Sequence, residues 1–231
     1  MTPSTNQKLA LEKKHPLAIR WFHWINFPVL LIMIWSGISI YWANDVYRLG
    51  WGSLTLFRFF PKWVYDLLLP KTPLATGMAW HFLFMWIFVL NGFFYVAFLL
   101  LSKQYRFIVP GRGVLREALN VVLHDLRIRK EPLPKGKFNG AQKIAYSTII
   151  VMGFGSCLTG LAIYKPVQFA WLTAICGGYD FARVLHFGLT IGFIVFILIH
   201  LLQVIRAGWN NFRAMVTGYE LTTDTSQEAA Q

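Results

Sequence analysis

The sequence predicts an all-α fold: a four-helix transmembrane bundle with both termini cytoplasmic and an amphipathic surface helix between the second and third spans. Three observations predict it. Hydrophobic residues fill 56% of the 231 positions and charged residues only 14%, a balance that belongs to membrane proteins. Four stretches contain no Asp, Glu, Lys or Arg: Trp21 to Asn44, Thr72 to Ser102, Ile144 to Tyr164 and Val184 to Ile205. Each is long enough to cross a bilayer, which takes about 20 apolar residues. The basic residues alternate between connections: sixteen of the 22 Lys and Arg lie in Lys8 to Arg20, in Lys103 to Lys143, or at Arg206 and Arg213. With four spans these segments share one side, and the positive-inside rule makes that side the cytoplasm.

The first span follows a polar stretch, MTPSTNQKLALEKKH, and is rich in Trp and Phe. No small-residue cleavage site follows it, so it is read as part of the mature protein. The connection after it, DVYRLGWGSLTLFRFFPKWVYDLLLPK, is crowded with aromatics. Interfacial anchoring explains that composition, and so does a docking surface for an external redox protein; both readings stay open. Between the second and third spans, VLREALNVVLHDLR sets Leu115, Leu119, Val122 and Leu126 on one helical face and Arg116, Glu117, Asn120, His124 and Arg127 on the other. This predicts a helix lying along the inner membrane surface. Pro132 and Pro134 then interrupt the chain. The third span has Gly153, Gly155 and Gly160 but no histidine, and reads as a packing helix. Residues 1–221 form a single transmembrane domain in this reading, and the polar residues 222–231 a disordered tail.

Four of the six histidines, His23, His81, His186 and His200, fall in or at the edge of spans. Ionisable groups at membrane depth are costly and mark function. His186 and His200 are fourteen residues apart, which on a helix is within roughly 40° of whole turns and a rise of roughly 21 Å. They therefore share a face, one near each membrane surface. Topology places His23 at the inner level and His81 in the outer half, so the rings sort into His23 with His200 and His81 with His186. Two opposed imidazoles on facing helices are what a six-coordinate b-type haem requires. Two b-type haems, each with two axial histidines, are the expected cofactors. Gly37 lies fourteen residues after His23, at the outer level, and Gly92 eleven after His81, at the inner level. Each leaves room where a macrocycle passes. Arg20 and Arg183 sit three residues before His23 and His186, positioned either to meet haem propionates or to snorkel at the interface; Arg206 is a weaker candidate for the same role. His15 and His124 are expected in solvent.

Other function classes are excluded or disfavoured. The net charge of +12 is explained by topology, which removes the argument for nucleic acid. No C-x-x-C-H occurs, so haem is not attached covalently, and Cys157 and Cys176 lie at different depths, against a disulfide. A histidine-based metal transporter would ordinarily add membrane carboxylates, which the spans lack.

The pattern resembles the prokaryotic cytochrome b561 superfamily, and among its members the cytochrome b subunits of formate dehydrogenase, thiosulfate reductase and other molybdenum oxidoreductases. The resemblance runs from His15 to Gly218 and is carried by HPLAIRWFHWINF with His23, AWHF with His81, KFNGAQKIAY before the third span, and ARVLHFG followed by His200. It implies an outer haem on His81 and His186, an inner haem on His23 and His200, and a quinone reacting near the inner haem. Asn139 and Gln142 would then line the quinone pocket, or alternatively cap the start of the third span. The implied function is electron transfer between a periplasmic molybdenum or iron–sulfur oxidoreductase subunit and the quinone pool of the inner membrane. The alternative is a stand-alone quinone-linked oxidoreductase with a small diffusible donor.

Overall fold

Apolar length dictates the architecture, since lipid leaves backbone polar groups no partner outside their own helix. The computed structural model describes residues 9–43, 48–51, 54–58, 62–68, 74–125, 127–129 and 138–223. In chain order these form β1 (Leu9–Lys13), α1 (Leu17–Ala43), β2 (Arg48–Trp51), β3 (Leu54–Arg58), α2 (Lys62–Leu68), α3 (Leu74–Leu101) and α4 (Tyr105–Ile108). There follow α5 (Val114–Asp125), α6 (Gly140–Tyr164), α7 (Ala170–Ile175), α8 (Tyr179–Thr217) and β4 (Tyr219–Thr223). Four of the helices, α1, α3, α6 and α8, are long and apolar enough to cross a membrane, and they are the four expected spans. Two short antiparallel strand pairs, β1 with β4 and β2 with β3, add to the all-α class without changing it.

Consecutive spans pair. α1 packs mainly on α3, and α6 on α8. Small residues set the approach: a Cβ on Gly77 of α3 would fall 2.8 Å from the Ser39 Cβ of α1, and one on Gly192 of α8 would fall 2.9 Å from the Met152 methyl of α6.

α8 is 39 residues long, which at about 1.5 Å per residue is nearly twice the ~30 Å hydrocarbon layer. It therefore breaks. Gly208 takes φ 80°, ψ 175° inside it, a backbone region open essentially to glycine alone. The segment after the break closes the end of the bundle that carries both termini. Trp24 Nε1 donates to the Met215 carbonyl at 3.1 Å, and Ala214 is fully buried. The helix stops at Gly218, left-handed at φ 92°, whose N–H bonds the Ala214 carbonyl. β4 then pairs with β1 in the register Leu9↔Thr223 to Lys13↔Tyr219. Lys14 locks the pair through Glu220 and Asn211, both at 2.9 Å. Thr222 and Thr223, expected in a disordered tail, are part of this strand because β1 supplies the partner that a lone tail lacks. Residues 224–231 lie outside the described residues.

α5 forms where its periodicity places it with its apolar face outward, and one residue of the expected water face departs. Leu115, Leu119 and Val122 are exposed (76%, 57% and 47%), and Val121 on another side is 5% exposed. Glu117, expected on the water face, turns to α6, where its carboxylate accepts the Gly140 N–H at 2.8 Å. The cause is α6 itself: its unsatisfied first N–H attracts an acceptor, and Gly140 lets the two backbones nearly touch, since a Cβ there would lie 2.9 Å from the Ala118 nitrogen. The apolar face is thus left outward, as a lipid-facing helix needs. Leu126, Pro132 and Pro134 lie outside the described residues.

Gly208→Ala is expected to cost on the order of 1–3 kcal/mol, the usual penalty for forcing a side chain into that backbone region. A lower thermal midpoint of the solubilised protein, with faster proteolysis between the break and β4, is the measurable result.

Candidate functional site

α8 carries His186 near the end opposite the termini and His200 near the terminal end. The helix pairing brings each against one other ring. His81 of α3 faces His186 with ring centres 6.3 Å apart and planes at 74°, and His23 of α1 faces His200 at 6.1 Å and 58°. Metal–imidazole bonds of about 2 Å, with ~1.1 Å from nitrogen to ring centre, put two axial rings about 6 Å apart around one ion. Both pairs have that spacing.

The two levels differ in surroundings. At the far level a cavity opens between the rings, lined by Leu30, Met33, Ile34, Phe88 and Phe193. The His81 Nδ1 lies 3.0 Å from the Ser36 hydroxyl, and the His186 Nδ1 2.9 Å from the Thr159 hydroxyl. At the terminal level His23 meets Trp24 edge-on at 5.2 Å, and His200 lies parallel to Phe196 at 6.0 Å. The His23 Nδ1 is buried without a partner. Asn91 of α3, itself buried, donates to the Phe22 carbonyl at 3.0 Å and so ties the backbone beside His23 to the neighbouring helix.

The other expected residues are placed as follows. Gly37 lies against His81: a Cβ there would be 3.5 Å from the ring. Gly92 faces open space, with nothing within 4 Å of an added Cβ. Arg20 donates to the Val216 carbonyl at the C-terminus of α8, where the helix dipole favours a cation. Arg183 lies over the Tyr179 ring at 5.8 Å and 3.9 Å from Asp180. Arg206 donates to the Asp125 carbonyl, joining the end of α5 to α8. Asn139 and Gln142 form a reciprocal capping box: Gln142 N–H to Asn139 Oδ1 at 2.9 Å, and Asn139 N–H to Gln142 Oε1 at 3.0 Å. Of the two roles open to this pair, capping accounts for these contacts. His124 lies 4.0 Å from Asp125, and both cysteines are free thiols. Ser36, Thr159 and Asn91 were not expected at the site; their signal in the sequence was polarity at membrane depth.

Among the described residues no three His, Cys, Asp or Glu side chains converge on one point. Each level therefore offers an ion two nitrogens from the protein, a set that a planar ligand bringing its own donors would complete. Facing imidazole pairs, a largely apolar cleft and an orphaned ring nitrogen fit haem. A four-span bundle with such pairs at two depths defines a membrane cytochrome of the b type.

Residues 14–218 match the family model described as prokaryotic cytochrome b561, which covers nearly all of the bundle, and the chain belongs to that family. It is a multi-pass, haem-containing electron-transfer protein of the membrane. It is similar to the candidate protein-methionine-sulfoxide reductase subunit YedZ1 of Azospira oryzae, with 28% identity over 192 residues, 82% of this chain and 89% of the relative.

Asn139→Ala removes one half of the capping box and is expected to cost about 1 kcal/mol. Asn139→Asp keeps an acceptor at the cap and should cost much less, as thermal unfolding of the two variants would report.

Proposed function

We propose that this chain is a di-haem b-type cytochrome of the bacterial inner membrane that passes electrons between a periplasmic oxidoreductase subunit and the quinone pool. The observation that carries the reading is the pair of facing imidazole couples stacked by one helix, His186 and His200 on α8. Bound haem supplies a one-electron iron couple at each level. The chain's part is to present two neutral ring nitrogens to each iron and to keep water from the far level with the apolar cleft. The helix rise fixes the levels roughly 21 Å apart.

The terminal end, where the basic segments collect, faces the cytoplasm in this reading. His81 and His186 then serve the haem nearer the periplasm, and His23 and His200 the haem nearer the quinone. Arg20, Arg183 and the open space at Gly92 belong to the haem surroundings, and Gly37 gives the His81 ring its clearance. The quinone reacts at the terminal level, near the start of α6 where Asn139 and Gln142 stand. The relative is named as a subunit of a protein-methionine-sulfoxide reductase. A molybdenum or iron–sulfur subunit of comparable kind is the partner this chain would serve, which supports an anchoring role over that of a lone enzyme.

Haem quantitation with a redox-difference spectrum on purified protein tests the reading; two haems per chain are expected. His81→Ala and His186→Ala should each delete one and the same spectral component, and His23→Ala and His200→Ala the other. Loss of a common component in His81→Ala and His200→Ala would break the pairing, and a folded chain without haem would end the proposal.

A further inference from the structure

Ser36 on α1 and Thr159 on α6 stand beside the two far-level rings in the same way. Each hydroxyl touches its histidine, at 3.0 and 2.9 Å, and also a carbonyl of its own helix: Ser36 that of Ile32 and Thr159 that of Gly155, both at 2.7 Å. A hydroxyl has one hydrogen and two lone pairs. The shorter contact takes the hydrogen to the carbonyl, which leaves a hydroxyl lone pair for the ring, and in that arrangement Nδ1–H donates and the hydroxyl oxygen accepts. Both rings therefore carry their proton on Nδ1, and in the neutral imidazole the lone pair is left on Nε2.

The residue after each hydroxyl is glycine. A Cβ on Gly37 would lie 3.5 Å from the Cε1 of His81, and one on Gly160 3.3 Å from the Cε1 of His186. A hydroxyl–glycine dipeptide on a neighbouring helix thus flanks each ring: the hydroxyl holds its Nδ1 and the bare glycine admits its edge. Ser36 is fully buried and Thr159 is 5% exposed, so water does not compete for either acceptor. The terminal level has no such device at His23, whose Nδ1 is buried and unpartnered.

We infer that Ser36 and Thr159 are the positioning residues of the far-level haem: they fix the Nδ1–H tautomer, hold the rotation of each ring, and strengthen Nε2 as a donor to iron. A hydrogen bond accepted from the non-ligating N–H makes an imidazole a more basic ligand. Such a ligand favours the oxidised metal, so the pair lowers the potential of that haem and leaves the other unchanged. The inference rests on the haem reading given above.

The test uses the full chain in detergent or nanodiscs, with Ser36→Ala, Thr159→Val, the double variant and Thr159→Ser. Haem content, a spectroelectrochemical titration and the ferric low-spin electron paramagnetic resonance signals are measured. Two haems per chain are expected in each, with an upward shift of one midpoint in Ser36→Ala and Thr159→Val, larger in the double variant and absent in Thr159→Ser. The component that shifts should be the one that His81→Ala deletes. If a variant instead sheds that haem, retention in Thr159→Ser supports the inference, and equal loss in Thr159→Ser overturns it. Two bound haems with neither midpoint moved, or with only the other one moved, overturn it and leave the haem reading intact. Absence of haem from the unmodified chain would instead defeat that reading.

Discussion

An imidazole buried in hydrocarbon is destabilised by each nitrogen left without a partner. Water is not there to take an unmet donor or acceptor, and each one left bare costs of the order of kilocalories per mole. His81 and His186 resolve this on one side with a hydroxyl from an adjacent helix, and in the proposed reading the other nitrogen serves a metal. The bundle can be understood as the scaffold that makes this possible twice. Helices pair closely through glycines where hydroxyls must reach rings, and stand apart where the rings must face each other across a cleft.

That division of labour gives α1 and α6 a part at the far level although neither carries one of its two histidines. α1 brings Ser36 and Gly37 to the ring of α3, and α6 brings Thr159 and Gly160 to the ring of α8. The facing rings come from one member of each helix pair and their support from the other. The terminal level is built differently, with aromatic neighbours around the rings and an asparagine clamp on the backbone beside His23.

The spans, the helical surface segment and the pairing of histidines were legible because each depends on periodicity, charge or rise per residue, which are local quantities. The inward turn of Glu117 was not, because it is decided by Gly140 and the first N–H of α6, which lie outside the segment's own pattern. The third span read as packing alone for a similar reason: Thr159 looks like any small polar residue until the fold sets His186 beside it. β1 was hidden because LALEK has meaning as a strand only once Tyr219–Thr223 is near. The resemblance to the cytochrome b561 superfamily, read from motifs between His15 and Gly218, and the family match over 14–218 agree on the extent of the bundle.

The clasp of β1 on β4 joins the first described residues to the last across some two hundred positions of chain. A ribosome delivers Leu9–Lys13 long before Tyr219–Thr223 exists, so the early strand has no partner for nearly the whole of synthesis. The far level is complete once Phe193 has been made, while the terminal level waits for His200 and then stays open from below until the final turns are released. In the di-haem reading, biogenesis therefore gives the two levels different windows for cofactor loading.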